Sequence, residues 1–107
     1  MSIIEVGVAE LESALSAGAR LIDVREAHEY EAGHVAGARH VPLSTVPEQL
    51  AAFHGDGASY VICHSGGRSL RVCEFLAQQG LDAINVAGGT AAWVAAGRPV
   101  VSGSRPL

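Results

Sequence analysis

Short apolar runs alternate with longer amphipathic stretches along the chain. The runs that predict buried strands span residues 3–6, 20–24, 37–42, 59–63 and 82–89. Stretches with helical periodicity lie between them, at residues 9–17, 26–33, 44–53, 69–80 and 90–97. Because strand and helix alternate throughout, the pattern predicts an α/β fold in which a parallel sheet is covered by helices on both faces.

Glycine and serine positions predict where several helices begin and end. Gly18, Gly33 and Gly80 each close a helical stretch, and glycine is common just past the last turn of a helix. Ser44 opens the stretch 44–53, so we expect its side chain to cap a helix there. The resulting short elements suit strands joined by right-handed crossovers.

Length and composition indicate a single small domain. The chain has 107 residues, of which 49% are hydrophobic, and this is enough for one moderate core. We therefore expect one domain over residues 1–107, with its core at about 3–101 and a short tail at 102–107.

The charge pattern argues against nucleic acid and membrane partners. The formal net charge is −4, and the seven basic residues are arginines scattered along the chain, so no basic patch is expected. No stretch approaches the roughly 18 consecutive apolar residues of a membrane span. The first residues carry acidic groups where a secretory signal would carry basic ones, so we expect a soluble cytoplasmic protein.

Two cysteines, Cys63 and Cys73, are the candidates for special chemistry. Two cysteines do not make the disulfide framework of a small secreted domain, so reduced thiols are expected. The chain has no CxxC motif, and the spacing of its cysteines and histidines does not suit a closed metal site. We predict no metal and no cofactor.

The segment "ICHSGGRS", residues 62–69, places Cys63 where a strand ends and a helix begins. The carboxyl ends of parallel strands are where ligands bind in open α/β sheets. Gly66 and Gly67 allow the loop to curl so that successive backbone amides point inward. Such a cradle at a helix N-terminus binds anions and lowers the pKa of a thiol, so Cys63 is predicted to be a thiolate nucleophile.

Three motifs in this order resemble those of single-domain rhodanese-like sulfurtransferases. They are "LIDVREAHEYEAGHVAGARHVP", "CHSGGRS" and "NVAGGTAAWVAAGRPV", and together they extend the resemblance over about residues 3–101. The resemblance implies a three-layer fold with a five-stranded parallel sheet. It also implies that Cys63 carries a persulfide.

Loop length distinguishes two chemistries within this architecture. In sulfurtransferases of the family the loop resembles the six residues from Cys63 to Arg68, whereas related phosphatases and arsenate reductases have one more. A wider ring is needed to surround the equatorial oxygens of a phosphate. The shorter loop favours sulfur transfer.

Within the loop, Cys63 is the predicted catalytic residue, and its neighbours are predicted to bind the donor. Arg68 is expected to contact the anionic end of the donor. The glycines and Ser69 are expected to contribute conformation, capping and amides instead of side-chain contacts. The histidine at position 64 does not indicate which sulfur donor the protein prefers. The predicted substrate-binding residues are His64, Ser65, Gly66, Gly67, Arg68 and Ser69.

Other polar and aromatic residues have structural roles in this interpretation. Asp23 and Arg25 are expected to form an ion pair that braces the loops, and His34 to make a structural hydrogen bond. Cys73 is expected to pack in the core. Trp93 is expected to pack the last helix onto the sheet, and Gly88 and Gly89 to let backbone approach the active loop.

The predicted function is transfer of sulfane sulfur through a Cys63 persulfide. The donor is thiosulfate or another persulfide, and the acceptor is a thiol or cyanide, with a protein acceptor also considered. Two alternatives stay open: a non-catalytic binding module or dedicated persulfide carrier, and, less favoured, a phosphatase or arsenate reductase.

Overall fold

A computed structural model describes residues 2–107 and contains one five-stranded sheet in which all strands run parallel. The strands lie in the order β1-β5-β4-β2-β3, so β4 is central. The predicted α/β class with a five-stranded parallel sheet is confirmed. The strands are β1 (Ile4–Val6), β2 (Arg20–Asp23), β3 (Arg39–His40), β4 (Ser59–Ile62) and β5 (Ala83–Val86).

Helices cover both faces of this sheet. The helices are α1 (Val8–Ser16), α2 (Ala27–Ala32), α3 (Gly67–Gln78) and α4 (Gly89–Ala95), and two 3-10 helices span Leu43–Glu48 and Leu50–Phe53. None of the helices within residues 2–107 has the length and apolar character needed to cross a membrane.

Alternating side chains of the strands divide the core into two layers. Leu21 and Ile62 are buried with residues of α1, α2 and α4, whereas Ile22 and Val61 are buried with residues of α3 and the 3-10 helices. Successive side chains of a strand point to opposite faces, so these near-continuous apolar runs supply both layers. Trp93 is buried in the first layer, which confirms that it packs α4 onto the sheet.

The segment 44–53 differs from its prediction. It contains two 3-10 helices, and the first follows Pro42, with no capping hydrogen bond from a side chain. Ser44 lies inside the first of these helices, after its N-cap residue Pro42, so the prediction that it caps a helix is wrong. Pro47 lies inside the first helix, where it has no N–H to donate, and this restricts the segment to short helical pieces.

The C-terminal residues pack against the connection that follows α2. The Gly103 amide donates to the Glu31 carbonyl at 2.9 Å, and the Gly37 amide donates to the Pro106 carbonyl at 2.6 Å. His34 is fully buried and bonds the carbonyls of Tyr30 and Arg105, each at 2.8 Å, which confirms its structural role. The segment 102–107 is therefore joined to the body of the fold by defined hydrogen bonds.

The strand order determines what meets at the carboxyl edge of the sheet. Because β4 lies between β2 and β5, the residues following these three strands converge. Cys63 follows β4, Val24 follows β2, and Ala87 follows β5. The edge therefore brings the "CHSGGRS" loop against the two other segments that carry the sequence motifs.

Candidate active site

Cys63 lies directly after central strand β4, at the base of a loop that leads into α3. Its side chain is buried, with 1% exposure for the residue. The Sγ atom accepts the backbone N–H of Gly66 at 3.1 Å and the hydroxyl of Ser69 at 3.2 Å. The sulfur therefore lies at the N-terminus of a 12-residue helix, among hydrogen-bond donors.

The curl of the loop depends on Gly66. This residue precedes α3 with φ of 108°, a backbone conformation that residues with a Cβ rarely adopt. A Cβ atom at this position would also lie 3.2 Å from the backbone nitrogen of Gly88. Glycine thus permits both the turn and its contact with the segment after β5.

Two opposing effects determine the acidity of Cys63. Burial raises the pKa of the thiol, because a charged sulfur loses its hydration. Hydrogen bonds from the Ser69 hydroxyl and from the amides of Ser69, Gly66 and Ser65 lower the pKa, and together they bring it below that of an ordinary cysteine. The site therefore stabilises a thiolate, as the loop sequence predicts.

Ser69 contributes more than was expected of it. Its amide contributes as predicted. The prediction that its side chain makes no contact is wrong, because its buried hydroxyl lies 3.2 Å from Sγ. The same oxygen lies 3.3 Å from the Gly66 carbonyl oxygen. One hydroxyl has one proton, so donation to Gly66 competes with donation to the sulfur, and a negative charge on the sulfur favours the latter.

The N-terminus of α4 supports the other side of the loop. The Cys63 carbonyl accepts the Thr90 amide at 2.9 Å and the Thr90 hydroxyl at 3.0 Å, and the His64 carbonyl accepts the Ala91 amide at 2.9 Å. A Cβ on Gly89 would come within 2.5 Å of both of these carbonyl oxygens. The predicted close approach of this glycine to the active loop is confirmed.

Asn85 of β5 is a further support that the sequence analysis did not identify. It is fully buried, and its amide nitrogen donates to the Gly66 carbonyl at 3.1 Å and to a Glu5 carboxylate oxygen at 2.7 Å. A polar residue inside an apolar strand was the signal that could have revealed it. Thr90 was missed too, although it directly follows the two glycines.

Two ion pairs flank the loop. Arg25 and Asp23 are both buried and joined at 2.9 Å, and Arg25 also donates to the Gly33 carbonyl at 2.8 Å, which confirms the bracing pair. Arg68 makes a bidentate pair with Glu29 of α2, at 2.8 and 2.9 Å. The arginine assigned to the donor therefore has a carboxylate partner within the protein.

Two surface cavities border the loop. One has a volume of about 610 Å³ and combines apolar residues such as Val46 and Phe75 with Ser65 and Arg68. The other has a volume of about 580 Å³, and its lining includes His64, Glu29 and Thr90. His64 and Ser65 are exposed, so a small molecule reaches the loop from either side.

The second cysteine is as buried as Cys63, but its pKa shifts in the opposite direction. Cys73 is fully buried in the layer that contains α3, which confirms its packing role. Burial raises its pKa to about 12, and the carboxylates of Glu5 and Glu74 add to the effect. Cys73 therefore stays a protonated thiol at neutral pH. Among residues 2–107 there is no cluster of three or more histidine, cysteine or acidic side chains suited to a metal ion.

The geometry suits nucleophilic attack by the Cys63 sulfur in a reaction that leaves an anionic group bound to Sγ. Amide and hydroxyl donors surround the sulfur, and the bordering cavities admit a small molecule. The same donors would stabilise a second sulfur atom bound to Sγ, because a persulfide is also anionic.

Comparison with known proteins places this site in a family. Residues 7–96 match the family model for the rhodanese-like domain. The protein YtwF of Bacillus subtilis (strain 168) is 37% identical over 101 residues, which cover 92% of this chain and 98% of that protein. The thiosulfate sulfurtransferase GlpE of Pseudomonas putida (strain GB-1) is 34% identical over 84 residues, 78% of this chain and 76% of that one.

A solved structure agrees with these sequence matches. The crystal structure of a rhodanese-related protein from Thermoplasma volcanium superposes with a TM-score of 0.85 at 35% identity, covering 92% of this chain and 97% of that one. The family model, the aligned relatives and the shared fold lead to one conclusion: this chain belongs to the rhodanese-like domain family.

Proposed function

We propose that this protein is a sulfurtransferase that carries sulfane sulfur as a persulfide on Cys63. The donor is thiosulfate or another persulfide, and the acceptor is a thiol or cyanide. The observation that carries the proposal is the position of Cys63 Sγ, which accepts hydrogen bonds from Gly66 and Ser69 at the start of α3. Membership of a family that includes a thiosulfate sulfurtransferase supports it.

The first half-reaction forms the persulfide. The Cys63 thiolate attacks the outer sulfur of thiosulfate, a new S–S bond forms, and the S–S bond of the donor breaks with its electron pair leaving on sulfite. No electrons are exchanged with a further reactant. Amide donors from the loop stabilise the anionic persulfide that results.

The second half-reaction restores the thiolate. A thiolate or cyanide attacks the outer sulfur of the persulfide, and the electron pair of the S–S bond returns to Cys63 Sγ. The products are an acceptor persulfide or thiocyanate. Because the donor product leaves before the acceptor reacts, ping-pong kinetics are expected.

The loop residues divide into two groups in this mechanism. Ser65, Gly66 and Ser69 support the anionic sulfur through the hydrogen bonds that lower the pKa of Cys63. Gly67 begins α3, and His64 and Arg68 border the two cavities. We assign Arg68 to the anionic end of the donor, in competition with its partner Glu29.

An intact-mass measurement tests the proposal. Treatment with thiosulfate is expected to add one sulfur, about 32 Da, in a form that a reducing agent removes. Cys63→Ser should abolish the adduct, whereas Cys73→Ser, the matched control, should keep it. An adduct that persists in Cys63→Ser would show that Cys63 is not the carrier.

Kinetic assays on the same preparation separate the alternatives. Turnover of aryl phosphate or arsenate should be negligible beside sulfur transfer from thiosulfate, because the six-residue loop is small. A phosphatase rate that equals the sulfurtransferase rate and is lost in Cys63→Ser would contradict this. Transfer from loaded Cys63 to a protein acceptor but not to small thiols would identify a dedicated carrier.

A further inference from the structure

The charge of Arg68 is already neutralised by a partner within the fold. Both terminal nitrogens of its guanidinium donate to the two carboxylate oxygens of Glu29, at 2.8 and 2.9 Å. The hydrogen bonds with Arg68 are the main cause that lowers the pKa of Glu29 to about 2. Glu29 is therefore ionised at neutral pH, and the pair presents no net charge.

The position of this pair makes its charge relevant to the donor. Glu29 lines the cavity on the His64 side of the loop, whereas Arg68 lines the cavity on the Ser65 side. The pair thus stands between the two cavities. The side chains are 24% and 38% exposed for Glu29 and Arg68, so an approaching anion meets both of them.

The neighbouring arginine does not supply a free charge either. Arg25 lines the same cavity as Glu29, but its guanidinium is buried against Asp23 at 2.9 Å. On the His64 side of the described structure, the remaining groups able to be cationic are His28 and His64.

On the Ser65 side, Arg71 lies three residues after Arg68 on α3, is exposed and has no ion-pair partner among residues 2–107. The groups available to an anion at the loop are therefore its backbone amides, the Ser69 hydroxyl and Arg71, while Arg68 is paired with Glu29.

The two donor classes differ in charge. Thiosulfate is a dianion, whereas an organic persulfide with no other ionised group is a monoanion. Neutralising Arg68 weakens the attraction for the dianion more than that for the monoanion, because each unit of donor charge loses the attraction that a free Arg68 would provide. We propose that Glu29 is a specificity-determining residue: by neutralising Arg68, it shifts the donor preference from thiosulfate towards organic persulfide monoanions.

This inference rests on the proposed sulfur transfer and adds the donor class to it. In the favoured reaction the Cys63 thiolate attacks the outer sulfur of R–S–S⁻, a new S–S bond forms at Cys63, and the electron pair of the old bond leaves on R–S⁻. The exchange needs no oxidant or reductant, and one anion enters as one anion leaves. The acceptor half-reaction is unchanged.

A charge series tests the inference in the full chain. The probes are thiosulfate and the persulfide of 2-mercaptoethanol, whose only charge lies on sulfur. The variants are Glu29→Gln, Arg68→Gln and the double substitution, which give the pair a charge of about +1, −1 and 0. All rates are measured at one pH and one ionic strength.

Glu29→Gln should increase activity. We expect kcat/KM to rise roughly five- to twentyfold for thiosulfate and about two- to fourfold for the monoanion, because a dianion gains twice the free energy from one unpaired charge. Arg68→Gln should lower kcat/KM for the two donors by factors similar to these gains, with the larger loss again for thiosulfate. The double variant should return to within about twofold of the wild-type donor ratio, which a merely structural pair would not do.

Glu31→Gln is the matched control. It removes the same charge from an exposed position of α2, two residues away, where no side-chain contact with the loop is made. Its ratio of kcat/KM for thiosulfate to kcat/KM for the persulfide should equal that of the wild type. If Glu31→Gln raised this ratio as much as Glu29→Gln does, the cause would be the overall charge of the protein, and the inference would be overturned. Added salt should reduce the gain in Glu29→Gln.

Sulfur loading separates failure of this inference from failure of the proposed function. If neither donor adds sulfur to Cys63 in any variant, the proposed function fails, and the donor preference fails with it. If both donors load Cys63 but Glu29→Gln leaves the ratio within about twofold of wild type, only the role of Glu29 is refuted.

Discussion

Replacing Ser69 by alanine isolates one hydrogen bond to the reactive sulfur. The Ser69 hydroxyl is buried and lies 3.2 Å from Cys63 Sγ. Hydrogen bonds to charged groups contribute about 1.5–3 kcal/mol, and the polarisable sulfur at this distance suggests about 1.5–2 kcal/mol, the lower part of that range. Below the pKa of Cys63, this loss corresponds to a roughly ten- to thirtyfold smaller thiolate fraction.

The direction of the pH effect follows from the sign of the shift. The hydroxyl favours the ionised sulfur and so lowers the pKa of Cys63, and its removal must move the pKa upward. Alkylation of Cys63 by iodoacetamide, followed against pH, should therefore be slower in Ser69→Ala at neutral pH. The two proteins should converge at alkaline pH, where both sulfurs are ionised.

Two controls separate acidity from damage to the fold. The Gly66 carbonyl retains the Leu70 amide at 3.1 Å and the Asn85 side chain at 3.1 Å after the substitution, so the start of α3 should persist and Tm should change little. Ser69→Thr keeps the hydroxyl and should recover part of the reactivity. If Ser69→Ala alkylates at the wild-type rate with the wild-type pH midpoint, the hydroxyl serves Gly66 alone and the reasoning is refuted.

Two further predictions concern the surroundings of the site. Burial raises the pKa of Cys73 to about 12, so this thiol should resist alkylation in the native protein at about pH 8 and react only after denaturation. Peptide mass mapping gives the labelling rate of each cysteine, and native labelling of Cys73 at a rate comparable to that of Cys63 would contradict the raised pKa. Gly89→Ala should lower Tm and slow sulfur loading by at least about tenfold, because a Cβ would lie 2.5 Å from the Cys63 and His64 carbonyl oxygens at φ of 58°. Gly97→Ala is the control, because Gly97 has φ of 78° but open space around its Cβ position. This variant should have a lower Tm than the wild type but the wild-type rate of sulfur loading. Equal loading rates in the two variants would refute the contact argument.

The sequence by itself determined the order of elements and the position of Cys63 at the end of a strand. Apolar runs of strand length and amphipathic stretches are local signals, because side-chain periodicity follows directly from backbone geometry. The position of Cys63 between a strand and two glycines is equally local, since the curl it requires involves only adjacent residues. Such local features can be predicted from one sequence without knowledge of the residues that pack against them.

Local signals misjudged the segment that opens with Ser44. A serine before a helical pattern is a common cap, but Pro47 removes a donor from the first helix and the segment forms two short 3-10 helices. Its buried residues Val46 and Phe53 still pack on the sheet. The apolar pattern therefore predicted burial correctly, while the type of helix depended on backbone hydrogen bonds.

Only the tertiary structure decided which distant groups complete the site. Glu29 and Arg68 lie 39 positions apart, and Asn85 reaches Gly66 from 19 positions away. Even the Ser69 hydroxyl, six positions from Cys63, reaches the sulfur only because the loop and the first turn of α3 curl around it. These contacts arise from the strand order and the placement of the helices, which bring remote segments to one edge of the sheet. The periodicity of side chains along the chain cannot predict such long-range contacts.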